Sequence, residues 1–151
     1  MDEVVTLLEI NQSCSNVLKV EKILNFLDCY INYESEVNDN FLAPVETLGY
    51  KSGDCDDFTI LASALFKMNG IDSAIGLFEN DNSEFHAMVL LHLDNLGNYT
   101  YYYNSDLTGK GLDEGKWIII EPQTTIENQG TNWVKQWRLI VAAPLDVEKY
   151  I

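Results

Sequence analysis

The fold of this chain is decided by the stretch Gly53-Asp54-Cys55-Asp56-Asp57-Phe58. The residues after it are apolar at steps of three and four, which predicts a helix with one buried face: Phe58, Leu61, Ala62, Leu65 and Met68. Asp54 can cap the start of this helix, and Asn69-Gly70 is a typical signal for its end. A cysteine is therefore expected in the first turn of a helix that packs against a core.

The position of Cys55 favours a nucleophilic thiolate. Free backbone N–H groups and the positive end of the helix dipole stabilise negative charge there, and the N–H of Cys55 itself is well placed for an oxyanion. Asp54, Asp56 and Asp57 oppose the thiolate by like-charge repulsion, so a cation beside the sulfur is also needed. A histidine meets this need because its neutral ring can take the proton and its charged ring can pair with the sulfur.

The remaining sequence predicts one earlier helix and a later sheet. Apolar residues at helical spacing predict a helix over about 15–32, and the polar stretch 32–40, followed by 41–44, is interpreted as a surface loop. After Gly70 the period changes to two, which predicts strands at 71–78, 85–93, 98–104, 117–121 and 137–142. Residues 94–97 form a predicted hairpin turn, and Trp133 and Trp137 are interpreted as core or rim residues.

These elements predict an α+β fold in which the helix that carries Cys55 packs on an antiparallel sheet. A chain of 151 residues is long enough to bury a core of its own. We therefore expect a single domain over 1–151, with a helical part at about 13–70 and a sheet part at about 71–143.

Two histidines, His86 and His92, lie in the predicted strand 85–93. They are about 20 Å apart along an extended strand, so only one of them can serve Cys55. His86 follows a polar loop at the start of the strand, where an active-site residue is easier to place. Taken alone, however, a histidine in a strand is more often a structural residue with its hydrogen bonds satisfied.

Glu121 is the candidate acid that would orient the histidine. It follows an apolar run at 117–120, and a carboxylate at the rim of a core requires a partner. The alternative is that Glu121 ends the strand and that its side chain points to solvent. Considered without the other residues, Glu121 fits this alternative better.

Three blocks of the sequence together resemble the transglutaminase-like family. The first contains Ala43-Pro44-Val45-Glu46-Thr47-Leu48, residues 53–58 and residues 61–65, and it resembles the segment of the nucleophile. The others are His86-Ala87-Met88-Val89, which resembles the histidine strand, and Trp117-Ile118-Ile119-Ile120-Glu121-Pro122, which resembles the acid strand. The order cysteine, histidine, acid also agrees, and the blocks cover roughly half of the chain.

The resemblance implies a papain-like fold and a thiol mechanism. Cys55 would attack a carboxamide carbon to form a thioester, His86 would act as base and then as acid, and Glu121 would hold the tautomer of His86. The acid of the family is most often Asp, so Glu121 is a departure that requires one methylene of adjustment. Tyr50 and Asp54 are the weaker candidates for contacts to an oxyanion or to the substrate.

No cofactor and no metal are expected. The chain lacks the paired CxxC zinc motifs of peptide N-glycanase-like enzymes and has no EF-hand loop. The Asp residues around Cys55 could join His86 and Glu121 around a hard cation, but adjacent Asp residues in a first helical turn are ordinary partners of the dipole. The three cysteines do not suggest a disulfide framework.

Charge and the N-terminal residues limit the partners. Nine basic and 24 acidic residues give a net charge of −15, which argues against nucleic acid and anionic membrane surfaces. The chain shows neither a signal peptide nor an apolar run long enough to insert into a membrane. We expect a cytoplasmic protein with a peptide or protein substrate if the chain is a complete gene product. In a longer protein the location stays open, as does the oligomeric state.

Three functions fit the sequence to different degrees. The first is a thiol hydrolase or acyl transferase that acts on a peptide or amide bond through Cys55, His86 and Glu121. The second is a catalytically inactive transglutaminase-like binding or regulatory module, which the lack of an evident side-chain oxyanion donor leaves open. The third is an assembly subunit with an acidic surface for a basic partner, supported only by the net charge. Hydrolysis and transamidation are not distinguished.

Overall fold

The helices of the protein precede its main sheet. The computed structural model describes residues 4, 8–11, 13–35, 41–93, 96, 102–103, 112, 115–129 and 136–144. Its helices are α1 (Asn16–Tyr30), α2 (Pro44–Tyr50) and α3 (Cys55–Met68). None of these described helices combines the length and the apolar character that a bilayer span requires.

The two helices predicted from the period of their apolar residues, α1 and α3, are confirmed. The Ser15 hydroxyl caps α1 by accepting the N–H of Leu18 at 3.2 Å. Gly70, with φ at +79°, ends α3 in the left-handed conformation that the Asn-Gly signal predicted. Between them, α2 was not predicted because seven residues are too few for a clear period. Its signals are a proline at the first position and the Glu46 carboxylate, which accepts the Ala43 N–H at 2.7 Å.

Two sheets follow from the strands. A short parallel pair joins β1 (Asn32–Tyr33) to β2 (Ser52–Gly53). The main sheet contains β3 (Ser73–Glu79), β4 (Phe85–Leu91), β5 (Tyr102–Tyr103), β6 (Trp117–Ile120) and β7 (Arg138–Pro144), in the order β5-β6-β4-β3-β7. All neighbouring strands of the main sheet are antiparallel, as expected from the sequence.

The predicted hairpin at 94–97 is wrong in its pairing. β6 lies between β4 and β5, with Val89 opposite Ile120 and Tyr102 opposite Ile118. Residues 94, 95 and 97 lie outside the described residues. A turn signal predicts a reversal of the chain and does not determine which strands pair. The four residues of β6 are all buried, which fits a strand inside the sheet.

The central strands of the main sheet are buried on both faces. The alternation along β4 sends Val89 and Leu91 into one hydrophobic cluster with α1 and α3, and Met88 and Leu90 into a second cluster on the opposite face. A buried hydrogen bond of 2.8 Å between the hydroxyls of Ser63 and Ser73 also links α3 to β3. The α+β class is therefore confirmed, with α3 packed on the antiparallel sheet.

Candidate active site

The start of α3 is fixed by a reciprocal pair of carboxylates. Oδ1 of Asp54 accepts the N–H groups of Asp56 at 3.1 Å and of Asp57 at 3.2 Å. In return, Oδ2 of Asp57 accepts the N–H of Asp54 at 3.1 Å. This arrangement is a capping box, which fixes the residue at which a helix begins. Cys55 is therefore the first residue of α3.

Asp57 is the buried member of this pair. Its side chain is shielded from solvent, and its Oδ1 accepts the N–H of Leu42 at 2.9 Å. Burial raises the pKa of Asp57 above its usual range, against the lowering by the hydrogen bonds from Leu42 and Asp54. Asp57 thus ties the segment that enters α2 to the helix of Cys55.

The capping pattern leaves the N–H of Cys55 available. The N–H groups of Asp56 and Asp57 point to Asp54 Oδ1, and that of Phe58 points to the Asp54 carbonyl at 3.0 Å. Within the described part of the chain, the N–H of Cys55 has no recorded acceptor. A free N–H in the first helical turn is a ready donor to an oxyanion.

His86 and Glu121 form a hydrogen-bonded ion pair. His86 is the second residue of β4 and Glu121 follows the last residue of β6, so adjacent strands bring the two side chains together. Nε2 of His86 contacts Oε2 of Glu121, with side-chain exposures of 18% and 12%. The ring of His86 also lies close enough to Cys55 for the thiol to act on its pKa. Because Nε2 faces Glu121, Nδ1 is the ring nitrogen left for the sulfur.

The surroundings of His86 favour its protonated form. Burial lowers the pKa of His86, but hydrogen bonds to Cys55 and Glu121 and the negative charges of the same two groups raise it to about 10. The imidazole is therefore a cation at neutral pH, held between the sulfur and the carboxylate.

The other histidine lies in a different environment. The ring of His92 stacks on Trp117 with centroids 4.6 Å apart, and its Nδ1 is 3.7 Å from Oδ2 of Asp72. Within the described residues, no contact joins His92 to Cys55. Of the two histidines, the structure thus places His86 near Cys55 and Glu121, and His92 beside Trp117 and Asp72.

The weaker candidates differ in their positions. Asp54 caps α3, as described above. Tyr50 is the last residue of α2, with 68% of its side chain exposed, and no contact with Cys55 is recorded among the described residues. A different tyrosine, Tyr33, lies near enough to Cys55 for its charge to act on the tyrosine hydroxyl. It pairs with Gly53 in the short parallel sheet. Burial, followed by the charges of Cys55, Asp54 and Asp56, raises the pKa of Tyr33.

Tyr33 and Trp137 were both missed as site residues. Tyr33 reaches the site through a pair of two-residue strands, which are too short to leave a signal in the sequence. Trp137 was interpreted as a core or rim residue, and its half-buried ring lies 5.4 Å from the ring of His86 at an angle of 44°. An aromatic ring beside a cationic imidazole adds a favourable contact. Its place at the start of the predicted strand 137–142 gave no sign of a contact with His86.

The described residues contain no group of three or more His, Cys, Asp or Glu side chains arranged to hold a metal ion. Both carboxylate oxygens of Asp57 accept backbone N–H groups, from Leu42 and Asp54. Cys14, Cys29 and Cys55 are all free thiols.

The chain matches the model of the transglutaminase-like domain family over residues 3–139, and it therefore belongs to that family. None of the curated proteins compared with the chain matches it significantly in sequence. The resemblance first drawn from the blocks around Cys55, His86 and Glu121 is confirmed at the level of the family.

Several solved structures share the fold. A candidate cysteine protease from Cytophaga hutchinsonii matches with a TM-score of 0.60 and 16% identity, over 94% of this chain and 42% of that chain. LapG from Legionella pneumophila matches in its EGTA-treated form with a TM-score of 0.60 and 15% identity, over 91% of this chain and 67% of that chain.

Calcium-bound LapG matches with a TM-score of 0.50 and 20% identity, over 59% of this chain and 52% of that chain. The chain thus spans about half the length of calcium-bound LapG and less of the Cytophaga protein. At these identities the likeness is one of fold, and it supports the predicted transglutaminase-like core.

The close packing at the start of α3 predicts that a side chain at position 53 destabilises the fold. A Cβ at Gly53 would lie 2.6 Å from the Cβ of Asp57, a contact that no change of rotamer relieves. We expect Gly53→Ala to lower the free energy of unfolding by about 1–3 kcal/mol in urea titrations. Gly49→Ala is the matched control, because its added Cβ meets nothing within 4 Å. The control should leave stability unchanged or slightly higher. Equal effects of the two variants would contradict the role of Gly53.

The pKa of His86 predicts a pH-dependent contribution to stability. Folding raises this pKa from 6.5 to about 10, so the contribution is fully present below the lower value and is lost as pH rises through the upper one. We expect the difference in urea midpoint between the wild type and His86→Gln to be largest near pH 6 and to shrink towards pH 10. A difference that grows over this range would contradict the assignment.

Proposed function

We propose that the protein is a thiol hydrolase or acyl transferase that acts on a peptide or amide bond. Cys55 is the nucleophile, His86 is the acid and base, and Glu121 orients His86. The observation that carries this proposal is that the half-buried imidazole of His86 is hydrogen-bonded to Glu121 and also interacts with Cys55. A cysteine, histidine and acid in this arrangement form a nucleophilic triad.

In the proposed reaction, Sγ of Cys55 attacks as a thiolate and the protonated ring of His86 pairs with it. A lone pair of Sγ attacks the carbonyl carbon, a C–S bond forms, and the π electrons of the carbonyl move to its oxygen. The free N–H of Cys55 donates a hydrogen bond to this oxyanion. The positive end of the α3 dipole stabilises both the thiolate and the oxyanion.

The thioester forms when the oxyanion collapses. The C–N bond breaks as Nδ1 of His86 donates its proton to the leaving nitrogen, and the amine product departs. Neutral His86 then takes a proton from water or from an acceptor amine, whose oxygen or nitrogen attacks the thioester carbon. The C–S bond breaks, and the thiolate and the imidazolium are restored. Glu121 stays ionised throughout and holds the ring through Nε2.

The substrate is proposed to be a peptide or protein. The fold shared with a candidate cysteine protease supports this class. The exposed ring of Tyr33, on whose hydroxyl the charge of Cys55 acts, supports an open surface near the nucleophile that an extended chain can reach. Water as the acceptor gives hydrolysis, and a primary amine gives transamidation, and both use the same residues.

An activated ester tests the nucleophile without knowledge of the natural substrate. We expect p-nitrophenyl acetate to transfer its acetyl group to Sγ of Cys55 and to release p-nitrophenolate in a burst, seen by absorbance and by peptide mass spectrometry. Cys55→Ala should abolish the burst and keep the circular dichroism spectrum of the wild type. Cys29→Ala removes an exposed free thiol and should keep the full burst.

The contrary result is also clear. If Cys55→Ala keeps the burst, or if the acetyl group is found on Cys14 or Cys29 as readily as on Cys55, the thiol mechanism fails. The inactive binding module would then be the better account of the fold.

A further inference from the structure

The backbone of Glu121 is held by the side chain of Gln129. Oε1 of Gln129 accepts the N–H of Glu121 at 2.9 Å, and Nε2 of Gln129 donates to the Glu121 carbonyl at 2.9 Å. Nε2 also reaches the carbonyl of Thr125 at 3.4 Å. One amide side chain therefore satisfies both main-chain groups of the residue that contacts His86.

This contact replaces strand pairing at the point where the sheet ends. Ile120 is the last residue of β6 with a partner, Val89, and the described strand pairs do not include Glu121. Main-chain N–H and carbonyl groups next to a buried strand are costly to leave unpaired. The amide of Gln129 has one acceptor and two donors, so it can mimic the edge of a neighbouring strand.

Gln129 is itself fixed by the core. Only 6% of its surface is exposed, although an isolated glutamine is normally found in solvent. It follows the short 3₁₀ helix Ile126–Asn128, and Ile126 is buried in the hydrophobic cluster shared with α1 and α3. The position of Glu121 is therefore linked to the same core that positions Cys55.

The geometry points to Gln129 as a positioning residue for the triad: it fixes the backbone of Glu121 so that the carboxylate stays on Nε2 of His86. The inference rests on the proposed function. Gln129 touches Glu121 and Thr125, and no contact of its side chain with Cys55 or His86 is recorded within the described residues. It acts through Glu121 and is not a catalytic residue.

The length of the glutamate side chain makes this anchor necessary. Glu has one more rotatable bond than the Asp that is usual at this place in the family, so its carboxylate is less well defined by its backbone alone. The carboxylate is held at its tip by His86 on Oε2 and by the N–H of Gln123 at 3.1 Å on Oε1. With its backbone also clamped, the side chain is held at both ends.

The test is an NMR titration of His86 in the full chain. Gln129→Met keeps the length of the side chain and removes both hydrogen bonds to the Glu121 backbone. Since Cys55 and Glu121 are the charged groups that act on His86, we expect Gln129→Met to lower its pKa by about one pH unit. Glu121→Gln should lower it further. In the Glu121→Gln background, Gln129→Met should then add nothing, because its effect passes through the carboxylate.

Asn128→Leu is the matched control. It removes a side-chain amide from the same turn. This amide donates to Oγ1 of Thr125 at 3.2 Å and does not contact Glu121. The pKa of His86 should stay unchanged in this variant. Gln129→Asn is a milder second change. It keeps an amide, but the side chain is one methylene too short to make both contacts with the Glu121 backbone. It should lower the pKa of His86 in the same direction, by less.

The outcomes distinguish a failure of the inference about Gln129 from a failure of the proposed triad. If both Gln129 variants unfold more easily in urea but leave the pKa of His86 unchanged, while Glu121→Gln lowers it, Gln129 is only structural and the inference is overturned. If Glu121→Gln also leaves the pKa unchanged, the proposed triad fails and the inference fails with it. A pKa lowered by Gln129→Met and unchanged by Asn128→Leu supports the inference.

Discussion

The site depends on one buried carboxylate, Asp57. A carboxylate without solvent is tolerated only when hydrogen bonds satisfy it, and Asp57 meets this requirement with the N–H groups of Leu42 and Asp54. These bonds define the first residue of α3 and attach the segment before α2 to it. Gly53 must lack a side chain because Asp57 packs against it. This arrangement determines the location of Cys55 and of β2, the strand that pairs with Tyr33.

The second constraint is the competition between burial and charge at His86. Removal of water favours the neutral ring, whereas the interactions with Cys55 and Glu121 favour the charged ring, and these interactions prevail. The low dielectric that penalises an isolated charge also strengthens the pairing of Glu121 with His86. The ion pair therefore requires both partners to be well positioned. The sheet supplies this by placing the ends of β4 and β6 side by side, and the turn that carries Gln129 completes it.

The elements with strong local signals could be predicted from the sequence. The helix α3, its stop at Gly70 and the antiparallel strands follow from periods of about 3.6 and two, and the motif around Cys55 identified the family. The order of the strands could not be predicted, because β6 is inserted between β4 and β5 for reasons of burial that turn residues do not encode. The helix α2 could not be predicted either, because it is too short to show a helical period.

The family resemblance paired Glu121 with His86, but other long-range contacts of the site could not be predicted from the sequence. His86 was preferred over His92 by its place at the start of a strand, but the contact of Glu121 with it depends on the alignment of β4 with β6. Tyr33 and Gln129 reach the site through a two-residue strand and a side-chain amide. Neither contact produces a pattern of apolar residues, so the periodicity that predicts elements does not detect them.

The central claim is that Cys55 and His86 form a thiolate–imidazolium pair, and alkylation by iodoacetamide tests it most directly. Rates at each cysteine would be followed by peptide mass spectrometry from about pH 5 to 9, with Cys14 and Cys29 as internal references. The account predicts that Cys55 reacts faster than both references at the acidic end, and that His86→Ala removes this advantage. If Cys55 reacts with iodoacetamide but follows the same pH dependence as Cys14 and Cys29, the pair does not exist and the account is contradicted.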